Sequence, residues 1–316
     1  MAIEQASTRP LGSLGKAARS AEDSVKARPT ELASIVRSSN GRLWRRLMHH
    51  RSAWLGLGLI SLLAALALFA PWLSAYEYAD QNLTNMLQPP SLRHWLGTDE
   101  LGRDIWSRIA YGARISLTFS ALTVLVSTAI GTVIGLFTGY YGGWLDEVVM
   151  RFTDILLAFP GVLLAVTVVS VLGTGLQYVL LAIAIYITPG FVRVARGAVL
   201  AIKERQFVEA ARAVGAGDRR ILARHILPNI LSCILVQSTL RTGSVILLIS
   251  GLSFLGMGPK PPTPEWGLML STAKDYLRIA PHVSLVPGAA IMLAVLGFNL
   301  LGDALRDVLD PQQLIE

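Results

Sequence analysis

Six long apolar stretches, separated by short polar segments, limit what this chain can fold into more than any other feature. They fall near residues 52–73, 115–140, 148–172, 176–194, 230–255 and 283–301. Each is about the length a helix needs to cross a hydrocarbon core of roughly 30 Å. Composition agrees: 53% of the 316 residues are hydrophobic and 16% are charged, with mean hydropathy +0.52. Soluble domains carry about 25% charged residues. The expected class is therefore an all-α, multi-pass membrane protein with six transmembrane helices. Its net charge of +7 reports orientation and not nucleic-acid binding, because Lys and Arg collect on cytoplasmic loops.

Counting basic residues gives the orientation. Residues 1–51 hold ten Lys/Arg and 193–228 hold eight, whereas 75–111 and 257–281 hold three each. The two rich segments lie on one side, as an even number of spans between them requires, so both are expected in the cytoplasm. Six spans then put the N and C termini inside. Residues 1–50 read as a tail, with a short amphipathic helix near 40–51. There Leu43, Trp44, Leu47 and Met48 alternate with arginines, a pattern suited to an anionic leaflet. Residues 51–316 form the membrane domain. No cleavable signal peptide is expected, since the first apolar run starts near 52 and is long enough to span. Pro71, Trp72, Tyr76 and Tyr78 end that run as an interfacial belt. Pro160 and Pro189 are expected to kink the third and fourth spans without breaking them.

One polar island interrupts the apolar pattern, QFVEAARAVGAGDRRILARHILPN at 206–229. Its first half favours a short helix, ended by Gly215 and Gly217 in the position of a C-terminal cap. Asp218 stands where an N-cap belongs, before a second helix with the face Ile221, Leu222, His225 and Ile226. Pro228 interrupts that face. The segment about 203–228 reads as a basic docking knob held against the bilayer. Two segments on the other side, 75–111 and 257–281, are rich in turn formers and read as ordered caps.

Other features are weighed against plainer readings. Gly131, Gly135, Gly139 and Gly143 recur every fourth residue and form a smooth helix face. It packs either within this chain or against another subunit. Arg241 lies deep in the fifth span, about 16 Å from its start at 1.5 Å per residue. A buried cation needs a partner, a water-filled path or room to snorkel, so Arg241 reads as a residue meeting anionic solute, a structural ion pair or a snorkelled side chain. The single cysteine, Cys233, cannot form an internal disulfide. Five histidines show no zinc-protease spacing, and no cysteine cluster exists to hold a metal. Gly15-Lys16 is followed by Ala17 and lacks the upstream glycine of a phosphate-binding loop, and no G-x-S-x-G elbow occurs. The chain is not expected to be an enzyme.

The island resembles the EAA motif of bacterial ABC-importer permeases, E-A-A-x3-G-x9-I-x-L-P. Glu209, Ala210, Ala211, Gly215, Leu227 and Pro228 match it, while His225 stands where the isoleucine is expected. Three further stretches resemble signatures of the peptide/nickel branch of that family. They are Gly97-Thr98-Asp99-x-x-Gly102-Arg103-Asp104, Pro261-Pro262-Thr263-Pro264-Glu265-Trp266-Gly267 and Phe298-Asn299-Leu300-Leu301-Gly302-Asp303, the last extended by Leu305-Arg306-Asp307-x-Leu309-Asp310-Pro311. Together they are similar to the "C" permease of dipeptide and oligopeptide importers, from about residue 40 to the end.

The resemblance implies a MetI-like ABC importer permease fold in the bacterial inner membrane. It implies a homologous second permease, two ATPase subunits that bind ATP and Mg, and a periplasmic solute-binding protein. This chain itself would bind no cofactor, and membrane lipid would surround it. Dipeptides or oligopeptides are the implied solutes. Within the branch the pattern is also similar to glutathione-import permeases, with nickel a further candidate. Gly215 and Gly217 would hinge and cap the coupling helix, Glu209 would support it through a local ion pair or hydrogen bond, and Ala210 and Ala211 would allow close seating on an ATPase. The segments around Asp99–Asp104 and Pro262, Pro264, Glu265 and Trp266 would shape the receptor platform and gate.

Overall fold

The computed structural model describes residues 50–309, and those residues form helices joined by turns and loops. Helix α1 is Arg51–Leu68, continued by the single turn Ala70–Leu73. Then come α2 (Ile105–Tyr141), α3 (Gly143–Ala158), α4 (Gly161–Leu172) and α5 (Leu176–Lys203). The island supplies α6 (Gln206–Ala213). A continuous helical rod, α7 (Asp218–Phe254), follows, then the short α8 (Trp266–Ala273) and α9 (His282–Leu309). Five of these helices are long and apolar enough to cross a membrane alone, and six spans result when α3 and α4 count as one. Most of the amphipathic helix expected near 40–51, and the extension Asp310-Pro311, lie outside the described residues.

Three apolar clusters stack along the bundle. At one end Ile105, Ile109, Ile246 and Trp266 pack with the first half of α9. In the middle Val124, Val179, Ile183, Phe191 and Ile249 join α2, α5 and α7. At the other end Leu136, Tyr140 and Val199 meet Val208, Ile221 and Ile226 of the island. His50 lies 3.5 Å from Asp307, so the start of α1 and the end of α9 share one face of the bundle, as an even number of crossings demands.

The glycine stripe faces α5 of the same chain. A Cβ at Gly131 would sit 2.5 Å from Phe191 Cβ, one at Gly135 2.5 Å from the Val192 carbonyl, and one at Gly139 2.9 Å from Val199 Cβ. The two backbones are therefore in van der Waals contact, the approach that small residues permit. Gly143 does not belong to the stripe: it begins α3, and a Cβ there would meet nothing within 4 Å.

Three expectations need correction. Pro160 breaks its span, and α3 and α4 meet at 93°. Proline cannot donate to the ladder and biases the preceding residue away from helix, and Phe159 is indeed extended, at φ −79°, ψ 136°. Pro189 sits inside an unbroken α5. The second span starts ten residues early, at Ile105. Its 37 residues extend about 55 Å, well beyond a bilayer core, so its first turns stand in the outer cap. Pro228 does not interrupt the fifth span. The chain passes through a π-helical segment, Leu222–Ile226, whose wider turn takes up an extra residue without ending the helix.

Candidate functional site

The knob is built on α6. Val208 and Ala211 face inward against Ile221, Leu222 and Ile226, while Glu209 and Ala210 are exposed. Of the two alanines expected to allow seating, Ala211 thus packs the knob's own interior. At the end of α6 the amide of Ala216 donates to the Ala211 carbonyl at 3.0 Å, and that of Gly215 donates to Arg212 at 2.9 Å. This is a Schellman cap, with Gly215 at φ +81° in its left-handed position. Gly217 differs: its φ of −70° suits any residue, and it is the N-cap of the following helix. Asp218 is the first helical residue and makes no cap hydrogen bond. Its carboxylate instead accepts a hydrogen bond from the Tyr140 hydroxyl at 2.7 Å.

Sequence reasoning passed over Tyr140. It stands in the last turn of α2, 9% exposed, and the Arg212 guanidinium lies 5.5 Å from its ring centroid. One aromatic side chain thus holds both helices of the knob to the end of a long span. Lys203 adds a bond to the Gly139 carbonyl at 3.1 Å, and Arg196 of α5 forks onto Asp146 of α3 at 2.5 and 2.6 Å. The Glu209 side chain makes no ion pair or hydrogen bond among the described residues, contrary to expectation; only the backbone amide does, donating to the Arg205 carbonyl at 3.3 Å. It reaches Arg212 only as a more distant charge. Val214 is 84% exposed, so the knob presents an apolar side chain outward. Leu227 and Pro228 form the first turn of the α-helical part of α7.

At the opposite end, the two signature segments form one buried polar cluster. Asp99 accepts from the amides of Leu101 and Arg103 at 2.9 Å and from Arg103 Nε at 2.6 Å. Glu100 accepts from Arg103 Nη2 at 2.7 Å. Gly97 and Gly102 turn the chain here with φ of 81° and 72°. Asp104 caps α2 through the Ser107 amide at 2.8 Å and also pairs with His94 Nδ1 at 2.9 Å. Arg108 then donates to the carbonyls of Tyr78 and Pro262, each at 3.2 Å, joining the two segments.

The Pro264 carbonyl and the Trp266 ring press on Gly112. Trp266 is fully buried and donates from Nε1 to the Ile109 carbonyl at 3.3 Å. Glu265, also fully buried, caps α8 by accepting from the amides of Gly267 and Leu268 at 3.0 and 2.8 Å. Burial pushes its carboxyl above the ordinary value, and the two amides oppose that shift.

Arg241 lies between the two ends, half-buried, with Nη2 3.7 Å from where a Cβ on Gly190 would stand. It has no hydrogen bond or ion pair among the described residues, so the structural ion pair is not made within them. No group of metal-ligating side chains occurs among the described residues either.

Comparison with known proteins decides the family. Residues 131–314 match the family of the binding-protein-dependent transport system inner membrane component. The chain belongs to that family. Residues 40–90 match the N-terminal transmembrane domain of oligopeptide transport permease C. The glutathione transport system permease protein GsiD of Escherichia coli O6:K15:H31 is 47% identical over 291 residues, covering 91% of this chain and 95% of the relative. GsiD of Shigella boydii serotype 4 matches with the same identity and coverage. An inward-facing structure of the MetNI methionine ABC transporter covers 64% of this chain and 97% of its own, with TM-score 0.52 and 20% identity. That likeness shows the MetI-like fold. The chain is thus a multi-pass inner-membrane permease subunit of an ABC importer.

Proposed function

We propose that this permease carries short anionic peptides inward, glutathione first among them, driven by ATPases on separate chains. The observation that carries the solute assignment is the 47% identity to glutathione permeases over nearly the whole length of both chains. Arg241 supports it: an unpaired cation deep in a span is costly unless it serves a path, and glutathione has two carboxylates to offer it. Dipeptides and oligopeptides are the second reading, favoured by the match to oligopeptide permease C. Nickel is a distant third, since among the described residues no group of three or more His, Cys, Asp or Glu side chains is placed to hold a metal ion.

In this reading a second, homologous permease completes the path and a solute-binding protein docks on the cap around Asp99, Arg103, Asp104 and Pro262–Trp266. Two ATPase subunits hold ATP and Mg and receive the knob through α6, with Gly215 fixing its end and Val214 seating outward. This chain binds no cofactor. ATP closes the ATPases, the knobs follow, and the spans shift between inward- and outward-facing populations. The test is uptake in a strain lacking this gene, offered labelled glutathione, a toxic dipeptide analogue and nickel in parallel. Selective loss of glutathione uptake that returns with the wild-type gene, but not with Arg241→Gln, is expected. Loss confined to the dipeptide would replace the first reading by the second.

A further inference from the structure

The knob end of the bundle contains a cavity of about 720 Å³ between α5, α7 and α9, closed on one side by the start of α6. That volume falls in the usual range of small-molecule sites, roughly 300–1,000 Å³. Its lining changes character along its length. At the mouth stand Arg205, the N-cap residue of α6, and Arg306, in the last turn of α9. Asn229 lies beside them, and the walls then run inward past Val194 and Val236 to Leu240. From Asn229 to Leu240 the cavity descends about 16 Å along α7.

Among the described residues neither arginine makes a side-chain hydrogen bond or ion pair, and none of those that line the cavity is acidic. Guanidinium groups match phosphate oxygens in a planar fork. Basic pockets between helices at a membrane surface suit anionic headgroups. A cationic mouth over a wall that is mostly apolar, with Val194, Ala198, Ile202 and Val236 broken by Ser232 and Gln237, has the polarity profile of an amphiphile with an anionic head.

We infer that this cavity holds one anionic phospholipid, its phosphate between Arg205 and Arg306 and an acyl chain along the wall formed by α5 and α7. The lipid joins the N-cap of the knob helix to the last turn of the final span. If α6 is the coupling helix, as proposed above, the anionic lipid content of the membrane then sets how firmly that helix is held. The site itself does not depend on which solute is carried.

Cys233, the chain's single cysteine, is exposed and lines the same cavity, so it reports occupancy directly. The assembled transporter is placed in nanodiscs of phosphatidylcholine, with or without phosphatidylglycerol, and labelling of Cys233 by a membrane-permeant maleimide is timed. Phosphatidylglycerol is expected to slow labelling roughly tenfold, the protection a ligand gives at ten times its Kd. It should also remain bound in the native mass spectrum of the detergent-purified complex. Arg205→Gln with Arg306→Gln should abolish both effects while the melting temperature stays that of the parent.

Several results would overturn the inference. Labelling indifferent to phosphatidylglycerol is one. Equal protection by glycerol 3-phosphate would mean a site for soluble anions. Protection by transported peptide alone would mean a solute exit site. Cross-linking of Cys233 to the second permease would mean a subunit interface. None of these readouts requires transport, so failure of the solute assignment remains separable.

Discussion

Three Gly→Ala substitutions add the same methyl group to three different environments, and the geometry assigns them different costs. At Gly135 the new Cβ would stand 2.5 Å from the Val192 carbonyl and 2.7 Å from Ala195 Cβ. Ordinary carbon contacts lie near 3.5–4.0 Å, so α2 and α5 must part by about 1 Å. A gap of that size forfeits a quarter to a half of the dispersion well for neighbouring atoms, and overpacking costs typically 1–3 kcal/mol. At about 2.1 cal/mol/K of unfolding entropy per residue, a chain of this size loses about 1.5 °C per kcal/mol, so 2 kcal/mol lowers the melting temperature by about 3 °C.

At Gly215 there is open space, but φ is +81°, and a left-handed residue with a side chain costs about 1–2 kcal/mol. At Gly217 there is neither a neighbour within 4 Å nor a positive φ, so the loss of about 0.5–1 kcal/mol for Ala as an N-cap is offset by the about 0.4–1 kcal/mol of unfolded-state entropy it removes, and the net change is near zero. The assay is thermal unfolding of the detergent-purified complex, followed by the loss of its monodisperse peak. The expected order of destabilisation is Gly135→Ala first, Gly215→Ala second and Gly217→Ala indistinguishable from the parent. A Gly135→Ala protein that melts with the parent would refute the packing argument, and a Gly217→Ala protein as damaged as Gly215→Ala would refute the cap assignment.

Tyr140→Phe keeps the ring under Arg212 but removes the bond to Asp218. A net loss of about 1 kcal/mol for one hydrogen bond shifts the docked knob's population about fivefold. Proteoliposomes should therefore carry less solute per ATP at nearly unchanged hydrolysis, and an unaltered ratio would reduce Tyr140 to filler. Glu265 gives a pH signature. A carboxyl whose folded value is raised above the unfolded 4.5 contributes stability that is full below 4.5 and lost as pH rises through the folded value. Melting temperatures measured upward from pH 4.5 should fall with this component, and Glu265→Gln should flatten it. An identical profile in the variant would remove Glu265 as its source.

Much of the bundle could be read from the residues because the signals were local. Apolar length placed the spans, and the helix of the island ended at Gly215 because a left-handed cap has its own sequence preference. The signatures at Asp99–Asp104 and Pro262–Trp266 were recognisable separately. That Arg108 ties them together was not, since its partners lie 30 and 154 residues away. Tyr140 and Asp218 are 78 residues apart and carry no shared pattern. The glycine stripe announced close packing but not its partner, since spacing describes a face and not what covers it. Pro160 and Pro189 look alike in sequence. One breaks a span and the other does not, because only α5 is enclosed by α2 and α7 strongly enough to hold its helix through the missing bond.

The uninterrupted run of α7 has a mechanical consequence. Its lower end carries Ile221, Leu222 and Ile226, against which the knob is packed. Its upper turns place the Ser250 backbone against Gly267, directly beside the outer cap. The whole length is 37 residues, about 55 Å of helix. A rod of that length tilting by 10° about its knob end sweeps the other by about 10 Å, so a small change of tilt set at the knob reaches the cap as a large displacement. The π-helical turn, Leu222–Ile226, lies at the point of application itself, and such turns are where helices bend. Bent at 93°, α3 and α4 transmit no such thrust. One chain thus contains a crank arm and, beside it, an elbow that folds instead of pushing.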